Sequence, residues 1–296
     1  MAQSPKTTIY QDLTNKIVNL LENVDLENYQ APFASLAAQG LPVNPTTQNH
    51  YQGVNIPCLW FYQQEKDYSS NEWATFKQWK QQGASVRKGE KASPIVFYKT
   101  LVKTETDNQG KEETVNVPML RLYHVFNANQ VDGYNSEIKA TEKVDMVERI
   151  ILADRFCANT KADIRTGEAR AYYNTARDFI NMPRTKEFVE TSDSSATQNY
   201  YSVLFHELTH WTGSTKRLNR IKTDSDSVKQ AYAFEELVAE LGAAFLCAQL
   251  GISQAPREDH ALYIKSWLQA LKNDNKHIFK ASAQAARAVE YLNDFQ

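Results

Sequence analysis

The first half of the chain has the pattern of a mixture of helices and strands. Apolar residues recur at helical spacing before residue 23 and again before Gly83, whereas β-branched and aromatic residues alternate in two later segments. Over residues 31–51, prolines, Gly40 and the Asn44-Pro45 pair break every helical pattern. The predicted elements, in chain order, are a helix over 9–21, loops over 31–51, a short apolar element over 56–62, a helix over 71–82, and strands over 94–103 and 114–126 joined by a polar turn over 107–113.

The second half is predicted to be mainly helical. Polar residues over 127–141 indicate a linker, and we place the domain boundary near residue 135. This gives two domains, residues 1–135 and residues 136–296, in the α+β class. The predicted elements after the boundary are a helix over 144–158, one or two short strands over 169–180, and helices over 196–211, 229–250, 258–272 and 278–293.

Composition narrows the class of protein. The 296 residues are 42% hydrophobic and 23% charged, which is typical of a folded protein and argues against disorder. The formal net charge of -2 excludes a wholly basic nucleic-acid binder, so any DNA-binding face must be local. The three widely spaced cysteines fit a reducing compartment. Because the pattern contains neither a secretory signal nor a membrane span, we expect a cytoplasmic protein without a membrane partner.

The strongest chemical signal is the segment from His206 to His210, which reads H-E-L-T-H and matches the H-E-x-x-H pattern. Residues four apart lie on one face of a helix, so both imidazoles can reach one cation. Glu207 lies about 100° around the helix from His206, badly placed as a third ligand but close enough to take a proton from water. Ser194 or Ser195 is a suitable N-cap for this helix. The segment therefore predicts a metal site with Glu207 as the general base.

A catalytic zinc site needs a third protein ligand. The longer H-E-x-x-H-x-x-G-x-x-H pattern fails at Lys216, because a protonated lysine cannot bind a metal. A later helical segment carries Glu236 and Glu240 one turn apart; we choose Glu236 as the ligand, with Glu240 behind the site accepting a hydrogen bond from a ligand imidazole. Glu235 is the competing ligand. Two imidazoles and a carboxylate favour Zn²⁺, although Mn²⁺ and other divalent ions bind the same ligands.

A local concentration of basic and aromatic residues predicts a DNA-binding face. Residues 77–103 contain seven basic residues and one acidic residue, a local net charge of +6. Basic groups can follow phosphates, and aromatic rings can stack on unpaired bases. The alternative is that the aromatic residues fill a small core and the lysines are solvated. The candidate DNA-binding residues are Tyr51, Trp60, Trp73, Trp79, Arg87, Lys88, Lys91 and Lys99.

Four short motifs in each half of the chain carry a resemblance to a known family. In the first half they are Asn44-Pro45-Thr46, residues 51–55 (Y-Q-G-V-N), Gly83 with residues 86–91 (V-R-K-G-E-K), and residues 123–127 (Y-H-V-F-N). In the second half they are residues 178–183 (D-F-I-N-M-P), residues 206–213, Arg217-Leu218 and residues 235–246. Together they resemble the antirestriction proteins of the ArdC type, which conjugative plasmids and other mobile elements carry.

The sequence departs from the usual pattern of this family at two positions. Gln48 stands where a glycine is common after the Asn-Pro motif, which bears on the geometry of that turn. Ser214 stands where the family commonly has a histidine, so we leave position 214 outside the metal site.

The resemblance implies a function for each domain. Residues 1–135 would be a small α+β module that binds single-stranded DNA and also occurs in plasmid primases of the TraC type, and residues 136–296 a mainly helical, zincin-like metallopeptidase domain of the gluzincin type. The protein would protect incoming DNA from host restriction. Its expected partners are single-stranded DNA, with double-stranded DNA as a further candidate, and a host restriction-related protein as substrate, aligned by an edge strand over 169–174.

Two rival hypotheses remain at this point. One is a DNA-occluding protein whose metal site is structural. The other is a cytosolic metallopeptidase unrelated to DNA, which would require negligible affinity for single strands at physiological salt.

Overall fold

Short strands and one long hairpin alternate with helices in the first half. The computed structural model describes residues 5–23, 33–106, 112–135, 146–191, 194–221, 228–254 and 261–296. The elements of the first half are α1 (Pro5–Glu22), α2 (Ala34–Ala37), β1 (Val43–Asn44), β2 (Asn49–His50), α3 (Asn55–Glu65), β3 (Trp73–Ala74), α4 (Phe76–Gln81), β4 (Ser85–Val86), β5 (Ser93–Thr106), β6 (Glu112–Asn127) and β7 (Val131–Asp132).

The predicted helix over 71–82 is wrong in its first third. Trp73 and Ala74 pair with Asn127 and Phe126 of β6, so this stretch is a strand. The helix begins only after Thr75, because the Thr75 hydroxyl accepts from the Gln78 backbone N–H and the Gln78 side chain accepts from the Thr75 N–H. In contrast, the apolar element at 56–62 is the middle of the helix α3.

The β5–β6 hairpin is antiparallel and confirms the two predicted strands. Ile95 pairs with Tyr123, and Phe97 pairs with Arg121, so these side chains share one face of the hairpin. Asn55 of α3 fastens β5 from the side: its amide donates to the Val96 carbonyl at 2.8 Å and accepts from the Val96 N–H at 2.9 Å. Most of the predicted turn, residues 107–111, lies outside the described residues, as does the last part of the predicted linker.

The second half combines helices with a small sheet and confirms its predicted helices. Its central strand β10 (Phe179–Met182) runs parallel to β8 (Ile164–Thr166) and antiparallel to β9 (Tyr172–Asn174), so β9 lies at an edge of the sheet. The elements are α5 (Met146–Asn159), β8 (Ile164–Thr166), β9 (Tyr172–Asn174), β10 (Phe179–Met182), α6 (Ala196–Thr212), α7 (Val228–Leu250), α8 (Ala261–Asn273) and α9 (His277–Asn293). The mixture of helices and sheets in the chain is that of the α+β class.

The largest buried cluster draws residues from both halves of the chain. The Trp60 ring of α3 packs 5.8 Å from Phe245 of α7, centroid to centroid. In α1, the Tyr10 ring lies 4.3 Å from Phe279, and the Thr14 hydroxyl donates to the Asn275 carbonyl at 2.9 Å. The first helices therefore share a core with the C-terminal helices, while the domain boundary near residue 135 stays a prediction. None of the described helices combines the length and apolar character needed to cross a membrane.

Candidate functional site

The helix α6 carries both histidines of the H-E-x-x-H pattern into the interior. Ser195 is its N-cap, since the Ser195 hydroxyl accepts from the Gln198 backbone N–H and the Gln198 side chain accepts from the Ser195 N–H. His206 is 2% exposed and His210 8% exposed. Two polar rings are therefore held one turn apart inside the protein, where polar groups need partners.

A close contact between helices brings α7 beside α6 at this turn. A Cβ atom added to Gly242 would lie 2.5 Å from the Thr209 side chain. Thr209 itself is fully buried, and its hydroxyl donates to the Phe205 carbonyl. The contact therefore requires glycine, because any larger residue would push the two helices apart.

His206, His210 and Glu236 form a cluster in which each residue offers one ligand atom, and these atoms lie within 4.8 Å of one another. The two Nε2 atoms are 3.0 Å apart. The Glu236 carboxylate oxygens lie 3.4 Å from His206 Nε2 and 3.5 Å from His210 Nε2. Two imidazole nitrogens and a carboxylate oxygen, all converging on one point, form a donor set for a divalent ion.

The charges around the cluster favour a cation at its centre. Burial by itself would lower the pKa of His210, but the carboxylates of Glu236 and Glu235 outweigh burial and raise the pKa to about 10. Burial would raise the pKa of Glu236, but the two imidazoles hold that pKa well below its usual range. Positive charge between the histidines therefore stabilises the buried carboxylates, and a divalent ion would supply it. The residues fit the ion.

Glu235, the competing ligand, is held by an arginine. The Arg220 guanidinium donates to both Glu235 carboxylate oxygens at 2.7 Å. One of these oxygens lies 3.1 Å from His210 Nδ1, the ring nitrogen that faces away from the cluster. This geometry favours Glu236 as the ligand and places Glu235 where it can orient the His210 ring.

The segment after α6 brings Arg220 to this position. Arg220 also donates to the Thr209 carbonyl at 2.7 Å and to the Thr212 hydroxyl at 3.2 Å. A Cβ atom added to Gly213 would lie 2.9 Å from the guanidinium and 2.8 Å from Ile221. Gly213 is in the right-handed helical region, so glycine is needed here for the close approach and not for a left-handed turn.

Glu240 lies on the other side of the cluster. One of its carboxylate oxygens is 3.7 Å from His206 Nδ1, and the other accepts from the Gln254 side-chain amide at 2.9 Å. Glu207 is 2% exposed and follows His206 on α6. The roles of Glu240 as an orienting group and of Glu207 as a base stay proposals.

An ion-pair network fastens the segment after α6 to the β9–β10 turn. The Asp178 carboxylate contacts the Arg217 guanidinium, accepts from the Tyr173 hydroxyl at 2.8 Å and lies 3.2 Å from Lys216 Nζ. Hydrogen bonding to Arg217 holds the pKa of Asp178 well below its usual range, against the effect of its partial burial. Arg217 also lies 4.0 Å over the Trp211 ring. Lys216 is therefore at the surface, in an ion pair.

Three residues proposed for DNA stacking are in the core. Trp60, Trp73 and Trp79 have no exposed surface, so the expectation that they stack on bases is corrected. The Trp60 ring is part of the large core shared by both halves, and the Trp73 and Trp79 rings fill two small cores of this half. The ring N–H groups of two of them donate internally, from Trp60 to the Gly40 carbonyl at 2.7 Å and from Trp79 to the Phe126 carbonyl at 2.9 Å.

The other candidate DNA-binding residues differ in their exposure and in the partners of their side chains. Lys88 and Lys91 are exposed. Arg87 is exposed but pairs with Glu90 at 2.9 Å and with Asp132 at 3.6 Å. Tyr51 is half-buried, and its hydroxyl donates to the Trp73 carbonyl at 2.8 Å. The side chain of Lys99 lies outside the described part of the chain.

The turn after Asn44 explains why glycine suits position 48. Gln48 has a φ of 59°, in the left-handed region that glycine adopts most readily. Its side-chain amide donates to the Pro45 carbonyl at 2.7 Å, and the Asn44 side chain accepts from the Thr46 N–H at 3.0 Å. Gln48 therefore adopts a backbone conformation that favours glycine, and its side chain adds a hydrogen bond to the turn.

Two family models match the chain. The model of the N-terminal domain of the anti-restriction factor ArdC matches residues 7–126. The model of the zincin-like metallopeptidase domain matches residues 152–284. The first match includes nearly all of the β5–β6 hairpin, and the second includes His206, His210 and Glu236.

Similar proteins include one of nearly the same length and one much longer. The protein y4eC of Sinorhizobium fredii is 38% identical over 297 residues, which are 98% of this chain and 93% of the relative. The DNA primase TraC of Escherichia coli is 35% identical over 271 residues, 86% of this chain but 24% of the primase. This chain therefore spans about a quarter of that primase.

Two solved structures are similar along nearly the whole chain. The metal-free crystal structure of the antirestriction protein ArdC from plasmid R388 has a TM-score of 0.76 and 39% identity, covering 97% of each chain. The Mn(II)-bound structure of that protein has a TM-score of 0.73 and 38% identity, with the same coverage. This chain therefore has the two-domain fold of the ArdC protein, with an ArdC N-terminal domain followed by a zincin-like domain.

Proposed function

This chain belongs to the ArdC-type antirestriction family, and from that premise we propose that it binds single-stranded DNA and protects incoming plasmid DNA from host restriction in the cytoplasm. We further propose that its second domain is a metal-dependent peptidase, with a host restriction-related protein as substrate. The observation that carries the peptidase proposal is the buried His206, His210 and Glu236 cluster. Its donor set and its surrounding carboxylates support a divalent ion, for which we propose Zn²⁺ or Mn²⁺.

The residues around the cluster divide the chemistry between them. His206, His210 and Glu236 would hold the ion, which when bound polarises a peptide carbonyl and makes a nearby water more acidic. Glu207 would accept a proton from the attacking water on its carboxylate and pass it to the leaving amine nitrogen. Glu235 and Glu240 would keep the two imidazole rings in one orientation.

The edge strand β9 supports an extended peptide as the substrate. It pairs with β10 on one side, and in the described part of the chain its other side pairs with no strand. A peptide could add there through main-chain hydrogen bonds. The strand β9 lies within residues 169–174, the segment proposed from the sequence to align the substrate.

Exposed cations support the DNA interaction. Lys88 and Lys91 can reach phosphates, whereas Arg87 is partly neutralised by its acidic neighbours. Phosphate contacts release counterions, so we expect binding that weakens steeply as salt is raised. Binding that does not change between low and physiological salt would contradict this face.

The peptidase and DNA activities are separable by substitution. Glu207→Gln should lower cleavage of the host substrate by about 10²- to 10⁴-fold, the contribution of a positioned general base, while leaving DNA affinity unchanged. The control Glu290→Gln changes an exposed glutamate of α9. Cleavage products are followed by mass spectrometry of candidate restriction subunits incubated with each variant. Identical product patterns for the wild type and Glu207→Gln would remove the peptidase proposal.

Protection of DNA in cells distinguishes the occluding alternative. If protection requires proteolysis, Glu207→Gln should lose it in a conjugation assay against a restricting host. If protection requires only binding, that variant should keep it, whereas charge reversal at Arg87 and Lys88 should lose it.

A further inference from the structure

A pocket of about 420 Å³ lies beside the β5–β6 hairpin. Its floor contains Ile95 and Val125, which are buried, and its wall contains Phe97 and Tyr123, which are 60% and 42% exposed. The register of the hairpin puts all four side chains on one face. This volume is within the range of small-molecule sites, so the pocket can take a flat ring.

Two exposed aromatic rings stand next to each other on this wall. The centroids of Phe97 and Tyr123 are 5.8 Å apart, and the rings are inclined by 70°. Aromatic rings left in water on a sheet face lose the free energy that burial would give them, and a stacked base would restore it. This arrangement is that of a stacking platform.

The charge at the rim suits a phosphate. Lys77 lines the pocket and is exposed, and no acidic residue is among the described residues that line it. Arg121 pairs with Phe97 across the hairpin and is also exposed on that face. A nucleic-acid strand would therefore find cations beside the aromatic wall.

Four other lining residues of the pocket are held in place by internal hydrogen bonds. Tyr51 is fixed through its hydroxyl to the Trp73 carbonyl, and Asn44 through its side-chain oxygen to the Thr46 N–H. Thr75 and Gln78 are fixed by their reciprocal hydrogen bonds at the start of α4. Lining residues that are already ordered lose little conformational entropy when a ligand enters.

We propose that this pocket holds one unpaired nucleobase of single-stranded DNA, stacked on Phe97 and Tyr123, with Lys77 at a neighbouring phosphate. The proposal rests on the single-strand binding proposed above and assigns it a subsite. It replaces the buried tryptophans with residues that the fold leaves exposed. Sequence motifs from three places in the chain meet here, through Asn44, Tyr51 and Tyr123.

The test measures stacking separately from charge. The full-length chain is titrated with a fluorescent single strand of thymidines and with a strand of the same length that carries abasic sugars, so that the phosphates are equal. The variants are Phe97→Ala, Phe97→Leu and Tyr123→Ala. The matched control is Phe76→Ala, which removes another phenylalanine that is 58% exposed but lies outside the pocket. Circular dichroism and thermal melting check that each variant is folded.

The expected result is a loss of affinity for the thymidine strand of about 5- to 150-fold in Phe97→Ala and Tyr123→Ala, the range of one lost base stack. Phe97→Leu should show most of the loss seen in Phe97→Ala, because leucine keeps apolar surface but has no ring to stack on a base. Affinity for the abasic strand should not change in any variant, and Phe76→Ala should bind both strands like the wild type.

Two other results would overturn the proposal in distinguishable ways. If the wild type binds the thymidine strand and folded Phe97→Ala and Tyr123→Ala bind it equally well, the pocket is not the base subsite, but single-strand binding stands. If the wild type binds neither strand, single-strand binding itself is wrong and the subsite falls with it.

Discussion

The candidate metal site, formed by His206, His210 and Glu236, and the pocket beside the β5–β6 hairpin differ in their exposure to water. The cluster is buried between α6 and α7, and its histidines and carboxylates contact one another or partners such as Arg220 and Gln254. The pocket is open, and its aromatic wall is exposed to water. The cluster therefore depends on the folded core around it, whereas the aromatic wall of the pocket consists of side chains that lie largely outside the core.

This difference separates two kinds of substitution effect. A change at the cluster leaves a buried charge without a partner or opens a helix contact, so it alters both stability and ion binding. A change at the pocket removes exposed surface, so it should alter ligand affinity while the free energy of unfolding moves by less than about 0.5 kcal/mol. The pocket substitutions are those given above; the following ones test the buried cluster and the segment that supports it, from the largest expected effect to the smallest.

Gly242→Ala should lower the free energy of unfolding by about 1 to 3 kcal/mol, because the added methyl group would lie 2.5 Å from the Thr209 side chain. Chemical denaturation measures the change. Gly167→Ala is the control, since an added Cβ meets nothing within 4 Å there. If Gly242→Ala is as stable as the wild type, the helices are not in the close contact on which the cluster depends.

Arg220→Met should weaken divalent-ion affinity by about 10- to 100-fold, because Glu235 would lose its partner and no longer orient the His210 ring. Calorimetric titration with Zn²⁺ or Mn²⁺ measures the affinity. Arg165→Met is the matched control, since that arginine pairs with Asp163 at the surface. Equal ion affinity in Arg220→Met and the wild type would show that Arg220 has no part in the ion site.

Asp178→Asn should lower the free energy of unfolding by about 1 to 2 kcal/mol at neutral pH, through loss of its charged hydrogen bonds. Asparagine tolerates the left-handed φ of 57° at this position, so the effect isolates the charge. Because folding lowers the pKa of Asp178, its stabilisation is complete above the unfolded pKa of about 3.9 and is lost as pH falls below it. Denaturation curves of both proteins should therefore converge in acid. A difference that stays constant into acid would assign the effect to packing.

The sequence could suggest His206, His210 and Glu236 as metal ligands because most of this cluster is encoded locally, and the structure brings the three residues together. His206 and His210 share a face of α6 through helical spacing, and the same spacing puts Glu236 and Glu240 one turn apart on α7. The choice between Glu235 and Glu236 could not be made locally, since it depends on Arg220, which reaches Glu235 from the segment between the two helices.

The proposed DNA-binding face was harder to predict, because the size and charge of a residue do not tell whether it is exposed. Trp60, Trp73 and Trp79 were predicted to stack on bases, but their rings are buried in the cores. Phe97 and Tyr123 are distinguished only by which face of the hairpin they occupy and by what covers that face. The alternation of side chains along a strand predicts which face a residue occupies, but only the tertiary structure shows what covers that face.

The most direct test of the central claim counts ions bound by the purified chain. Calorimetry and elemental analysis, with Zn²⁺ or Mn²⁺ offered in excess, should find a single ion per wild-type chain, with binding abolished in His206→Ala and Glu236→Gln and only weakened in Glu235→Gln. A wild-type chain that binds no ion, or a Glu236→Gln chain that binds one with unchanged affinity, would contradict it.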